Sequence, residues 1–273
     1  MNVNGIRAAA RKGMHDWLAE ADVDVLALQE VRAERPDIEA ALPGWHFVND
    51  EAIAKGRSGV AIATRTPLDE YRTELGGDSV DSTGRWIETD LSFGSDTVTV
   101  VSAYVHSGED GTPKQDAKYG FLDSMEQRMR ELADTRPLAL VMGDLNVGHR
   151  ELDIRNWRGN RKKAGFLPRE RAYFDRLLGA AGVAVTGVDD STGVGAGWVD
   201  VGRRFHGEVD GPYTWWSMRG KAFDNDTGWR IDYHLATAEL ASRVTNYSIA
   251  RAASWGERWS DHAPVVADYA LGA

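Results

Sequence analysis

Short apolar runs, most of them stopping at a polar residue, constrain this chain more than any other feature. Residues 23–28, 59–63, 86–91, 98–105, 138–142, 231–236 and 264–269 are rich in Val, Ile and Ala and too short for helices. They read as strands. Met14, Trp17, Leu18 and Ala21 recur at helical spacing, as do Leu122, Met125, Met129 and Leu132. Tyr173, Phe174, Leu177 and Leu178 do the same after the helix-starting Pro168. These helices are too few for strict strand–helix alternation, and several neighbouring strands have only turn-length connections. The pattern predicts an α/β fold with sheets packed on each other and helices outside, not a doubly wound sheet.

The 273 residues are 42% hydrophobic and 27% charged, enough of each for a globule with a buried core. No cysteine is present, which excludes disulfides, thiolate metal sites and cysteine nucleophiles. A reducing cytoplasm is the expected location, since residues 1–10 lack the apolar segment of a secretory leader. No apolar run has the length to span a bilayer, so no membrane partner is expected. The net charge of −10 speaks against a nucleic-acid partner until its distribution is considered. Between Arg150 and Arg171 eight basic residues face three acidic ones. Such a strip on an acidic body can track a phosphate backbone, with affinity that falls as salt rises. As a solvated loop it would only aid solubility.

The chemistry is concentrated where strands end. The run 25–28 leads into Gln29-Glu30, and 138–142 leads into Gly143-Asp144-Leu145-Asn146. Asp232 lies inside the run 231–236, and Ser260-Asp261-His262 precedes the last strand. Taken singly, each acid is an ordinary turn or helix cap and the histidine an ordinary structural donor. Together they are costly to bury unless they meet a cation or hydrogen-bond donors. Glu30, Asp144, Asn146 and Asp261 offer hard oxygen ligands, suited to Mg²⁺ or Mn²⁺ more than to zinc. Asp232 can fix the tautomer of His262 and favour its charged form. This set suits attack of water on a phosphodiester: one carboxylate orients and deprotonates water, while a metal and a cationic histidine stabilise the transition state.

These residues resemble the exonuclease III family of the endonuclease/exonuclease/phosphatase superfamily. The resemblance covers essentially the whole chain. Its blocks are Asn2-Val3-Asn4-Gly5-Ile6-Arg7, Leu28-Gln29-Glu30, Ser58-Gly59-Val60, Gly84-Arg85, Tyr104-Val105, Gly143-Asp144-Leu145-Asn146, Gly165-Phe166-Leu167-Pro168, Trp229-Arg230-Ile231-Asp232-Tyr233 and Ser260-Asp261-His262. It implies a four-layered α/β sandwich of the DNase I type, two mixed sheets flanked by helices, in one domain spanning residues 1–273. It also implies a Mg²⁺-dependent DNA repair nuclease that incises duplex DNA 5′ to abasic sites and degrades strands from 3′ ends, working as a monomer. Carried over by position, Glu30 is the principal metal ligand with Asn2 beside it, and Asp144 activates water with support from Asn146. His262, held by Asp232, contacts the scissile phosphate. Asp261 serves the metal, and Tyr104 hydrogen-bonds the phosphate or leaving group. Trp215, Trp229 and Ile231 are expected to form an apolar pocket for a flipped abasic sugar, selected by size and by low extrusion cost. Trp216 is expected to be core. Arg57, Asn156, Arg158 and Asn160 are expected to contact DNA.

Two departures from the family pattern stand out. His106-Ser107-Gly108 follows Tyr104-Val105 where Pro-Asn or Pro-Gln is common. The motif Asn2-Val3-Asn4 begins at the second residue, where the family has a strand leading into it. Either the true start lies upstream or most of that first strand is lacking, and for the chain as given reduced stability and a poorly held Asn2 are expected. The nearest alternative function is a superfamily phosphodiesterase acting on RNA, a lipid headgroup or an inositol phosphate. An alternative of another class is a DNA-binding protein without turnover.

Overall fold

A computed structural model describes residues 1–68, 70–76 and 83–272. Among these, the strands are β1 (Val25–Gln29), β2 (His46–Asp50), β3 (Val60–Thr64), β4 (Trp86–Phe93), β5 (Asp96–Tyr104), β6 (Ala139–Asp144), β7 (Ala184–Thr186), β8 (Thr192–Val194), β9 (Val199–Asp200), β10 (Asp232–Ala236), β11 (Val244–Ile249) and β12 (Val265–Tyr269). The helices are α1 (Ile6–Ala9), α2 (His15–Glu20), α3 (Arg35–Ala41), α4 (Pro113–Thr135), α5 (Trp157–Asn160), α6 (Pro168–Leu178), α7 (Val201–His206) and α8 (Ala238–Ser242). One sheet has the order β1-β3-β2 and the other β4-β5-β6-β10-β9, with β5 and β6 parallel and the rest antiparallel. β11 pairs with β12, and β7 with β8.

The strand interiors are apolar on both faces because both faces are covered. Ala27, Val60 and Ile62 of the first sheet meet Val98, Val100, Leu140 and Met142 of the second in one buried cluster. The alternate residues Val101, Ala103 and Val141 turn the other way, onto Phe121, Leu122 and Met125 of α4 and Phe174 and Leu177 of α6. Leu26, Leu28 and Ala61 pack outward against Ile6, Met14 and Ile38. The layers are therefore helix, sheet, sheet, helix, as the resemblance implies. Pro113 and Pro168 open the two long helices, and Thr112 Oγ accepts from Lys114 N at 3.3 Å to cap the first. Among the described residues no helix is long and apolar enough to cross a membrane.

The chain start corrects one expectation. Asn2 is well held: Val3 N donates to Gln29 O at 2.9 Å and Gln29 N to Met1 O at 3.1 Å, a short parallel ladder along β1. The Asn2 side chain is buried with all its groups bonded, so a single ladder step suffices to anchor it. A cavity of about 570 Å³ lies between β1 and β12, floored by Val98, Val100, Leu140 and Met142. The Met1 ammonium donates to Ala27 O at 2.5 Å. Burial pushes its pKa down to about 6 against the opposing pull of Asp232 and Asp144.

Candidate active site

Strand register builds the site. In the parallel β5–β6 pair Tyr104 stands opposite Asp144, and in the antiparallel β6–β10 pair Asp144 stands opposite Asp232. Residues in register on adjacent strands lie about 5 Å apart with side chains on one face. A phenol and two carboxylates are thereby aligned by backbone hydrogen bonds alone. Gly143 makes this close approach possible, because a Cβ there would sit 1.9 Å from Ala103 O. Glu30 follows β1 of the facing sheet, in a left-handed conformation with φ 50°.

Asn2 joins the two sheets at this point. Its Nδ2 donates to Glu30 Oε1 at 3.1 Å and to Asp144 Oδ2 at 2.9 Å. Tyr104 OH donates to Glu30 Oε1 at 2.6 Å. Asn146 turns back on its own strand end. Its N donates to Asp144 Oδ1 at 3.0 Å, and its Nδ2 to Asp144 Oδ2 at 3.2 Å and to Val105 O at 2.9 Å. His262 Nδ1 lies 2.8 and 3.1 Å from the two Asp232 oxygens, and its Nε2 lies 3.7 Å from Asp144 Oδ2. Asp261 is engaged elsewhere, accepting from Asn4 Nδ2 at 2.8 Å and from Trp215 Nε1 at 3.1 Å.

Electrostatics follow from this packing. Burial depresses the His262 pKa, but Asp232 and Asp144 outweigh it and raise the group to about 10, so the ring is an imidazolium whose Nδ1–H donates to Asp232. Burial raises Asp144 to about 7; the positive His262 opposes this, and the negative Asp232 and Glu30 add to it. Burial, with the charges of Glu30 and Asp144, also pushes the Tyr104 phenol up, so it stays a donor.

Asp144, Asp232 and His262 each bring a ligand atom within 4.8 Å of the others, a grouping able to hold a metal ion. Of these, Asp232 is committed to His262 and to Thr214 Oγ, which donates to its Oδ2 at 2.6 Å. The other two site carboxylates, Glu30 and Asp144, are joined through Asn2, and Glu30 also pairs with Arg32. Burial, with the charges of Asp232 and Glu30 added to it, already lifts Asp144 toward neutrality, a cost that a divalent cation relieves. The donor set is oxygen-rich, as Mg²⁺ or Mn²⁺ requires.

Beside His262, the Trp215 ring lies 6.4 Å away between centroids, and Trp229 meets Trp215 edge-on at 6.1 Å. Both tryptophans are half-buried, whereas Trp216 and Ile231 are buried. Gly165, with φ 90°, packs directly on Trp229: a Cβ there would stand 2.9 Å from the ring and 3.2 Å from Asn146 O. The basic strip reaches this wall through Arg155 N, which donates to Gly228 O at 3.1 Å. On α5, Arg158 is exposed over the Trp157 ring at 4.6 Å, and Asn160 Nδ2 bonds Asn156 O at 2.9 Å within the same turn. Arg57 lies exposed on the loop between β2 and β3.

Three residues the sequence did not single out complete the site. Thr214 is fully buried, and its Oγ accepts from Ile231 N and Asp232 N at 3.1 Å while donating to Asp232. Asn4 holds Asp261, and Arg32 pairs with Glu30. Only Asn4 carried a local signal, in the repeated Asn of Asn-Val-Asn.

The endonuclease/exonuclease/phosphatase family model matches residues 1–262. The chain belongs to that family. This family member is 32% identical over 265 residues to the exodeoxyribonuclease of Bacillus subtilis, covering 97% of the chain and 95% of that protein. It is 30% identical to exodeoxyribonuclease III of Haemophilus influenzae, over 98% of the chain and 97% of that protein. These likenesses place it in the exonuclease III branch. An AP endonuclease from Archaeoglobus fulgidus superposes with a TM-score of 0.81 at 27% identity, covering 99% of the chain and 97% of that structure. The 3′-5′ exonuclease NExo of Neisseria meningitidis does so with 0.82 at 26%, covering 99% and 98%.

Proposed function

We propose that this protein is a DNA repair nuclease that cuts the phosphodiester backbone 5′ to abasic sites and removes nucleotides from 3′ ends. The observation that carries the reading is the aligned row Tyr104, Asp144 and Asp232 with the Asp232-held imidazolium of His262 beside it. The family relationship supplies the substrate class.

In this reading His262 donates from Nε2 to a non-bridging phosphate oxygen and offsets charge as the phosphorane forms. Asp232 fixes the ring through Nδ1. Asp144 takes a proton from the attacking water, a role suited to a carboxyl poised near neutrality, and Asn146 keeps its oxygens oriented. Tyr104 donates to the phosphate or the leaving oxygen, giving a 3′-hydroxyl. Glu30, Asp144 and Asn2, with Asp261 behind Asn4, would hold Mg²⁺, or Mn²⁺ in its place. The ion supplies Lewis-acid stabilisation of phosphate charge. Trp215, Trp229 and Ile231 accept an extruded base-less sugar and reject a nucleotide by size. Arg57, Asn156, Arg158 and Asn160 hold the DNA backbone. The chain acts as a monomer of one domain spanning residues 1–273, in the reducing cytoplasm that its lack of cysteine suits.

Incision of an end-labelled duplex bearing one abasic analogue tests this. Cutting at the analogue in Mg²⁺, abolished by EDTA and by Asp144→Asn, is the expected result. Folded protein that fails to cut it, yet hydrolyses RNA, lipid or inositol phosphodiesters, would assign another substrate. Salt-sensitive DNA binding with no cleavage of any of these would make it a binding protein.

A further inference from the structure

Behind the site, a charged pair is buried where the hydrolytic mechanism makes no use of it. Lys118 of α4 and Glu170 of α6 are both fully buried, with Nζ 2.7 Å from Glu170 Oε1. The remaining Nζ donors go to Asn146 O at 2.9 Å and Ser107 O at 3.3 Å. Glu170 in turn accepts from Leu167 N at 2.9 Å and from Gln115 Nε2 at 2.9 Å. One ion pair thus ties the loop leaving β5, the loop leaving β6 and the turn before α6. The first follows directly on Tyr104 at the end of β5, and the other two carry Asn146 and Gly165.

Stability gives no reason for this arrangement. Replacing a buried ion pair by apolar side chains is often neutral or stabilising, because desolvation cancels the attraction. What the pair does achieve is geometric. Asn146 holds a left-handed backbone, φ 49°, a conformation asparagine tolerates better than other residues with a Cβ and one that its neighbours here hold in place. Lys118 grips its carbonyl from one side while Val105 O accepts its side chain. In this pose Asn146 N reaches Asp144 Oδ1, and Asn146 O packs beside Gly165 under Trp229.

We propose that Lys118 and Glu170 are positioning residues for phosphodiester cleavage, clamping Asn146 against Asp144 and fixing the wall that carries Trp229. The proposal rests on the nuclease reading above. Its test compares wild type, Lys118→Arg, and the double variant Lys118→Met/Glu170→Gln. The double variant leaves no lone buried charge and keeps an oxygen to cap Leu167 N. Incision kinetics on the abasic duplex, melting point, and exchange of the Asn146 side-chain amide protons by NMR are read on each.

The double variant is expected to fold with a melting point near wild type, lose roughly 10–100-fold in kcat with KM little changed, and expose the Asn146 amide. Lys118→Arg, which keeps a charged donor, should recover most of the rate and the protection. Wild-type kcat and a protected Asn146 amide in the double variant overturn the proposal. So does a kcat loss that follows the melting point while the amide stays protected. If wild type itself does not cut, the amide comparison still decides the clamp, and the failure then belongs to the nuclease reading.

Discussion

Asp232→Asn is the substitution that most directly questions the proposed chemistry. His262 titrates at about 10 instead of 6.5, a preference for the imidazolium of ~5 kcal/mol. Burial works against that charge, and Asp232, in contact at 2.8 Å and 3.1 Å, is its largest support; Asp144 stands farther off at 3.7 Å. An amide keeps the shape and the Thr214 hydrogen bond but removes the charge, so the imidazole pKa falls sharply. Losing one preorganised donor to a developing oxyanion typically costs about 10²–10³ in rate, and that loss is expected for single-turnover incision at pH 8. Asp144 loses a like-charged neighbour in the same variant, but once His262 is neutral it also loses the larger opposing pull of the imidazolium, so its own pKa is not lowered. The alkaline limb of the pH–rate profile should therefore move to lower pH while the acidic limb does not. Stability carries a matching signature. Because the folded pKa of His262 lies above the unfolded one, its contribution is fully present below about 6.5 and lost as pH climbs through about 10. Melting points of wild type should fall across that window, and those of Asp232→Asn should fall less. An alkaline limb that stays in place, with a rate within about threefold of wild type, would refute the assignment of His262 as a charged donor.

Metal and proton should compete at Asp144. The Mg²⁺ concentration giving half-maximal incision is expected to rise as pH drops below about 7, and an equal requirement at pH 6 and pH 8 would count against Asp144 as a ligand. Arg158→Ala should weaken DNA binding evenly across sequences and lower the slope of log K against log salt by about 1; an unchanged slope would remove it from the interface. The Met1 ammonium, held down at about 6 from 8.0 by burial, makes the unfolded chain bind more protons between those values. Stability should thus rise as pH goes from 6 to 8, measured by chemical denaturation. A stability that does not change between pH 6 and 8 would contradict this.

What the sequence made legible was local. A run of Val, Leu and Ala ending in Glu30 or Asp144 announces both a strand and a polar group at its rigid end, and the seven runs read as strands all lie in sheets. β2 and β11 were missed because His46 to Asp50 and Val244 to Ile249 mix exposed polar and buried apolar residues without a continuous apolar run. The site itself depends on register, which no single segment encodes. Tyr104, Asp144 and Asp232 come from three strands, and each could have pointed the other way with a one-residue slip. Thr214 was invisible for the same reason, since its hydroxyl matters only once Ile231 and Asp232 present their N–H groups to it. Lys118 is different. It stands one helical turn before Leu122 on the stripe that continues through Met125, Met129 and Leu132, so its charge falls on the face that α4 buries. A lysine in that position must find an anion inside the protein, and Glu170 is the anion. A charged residue interrupting an apolar stripe therefore marks a buried polar contact from the residue pattern alone, and here that contact leads directly to the loop carrying Asn146.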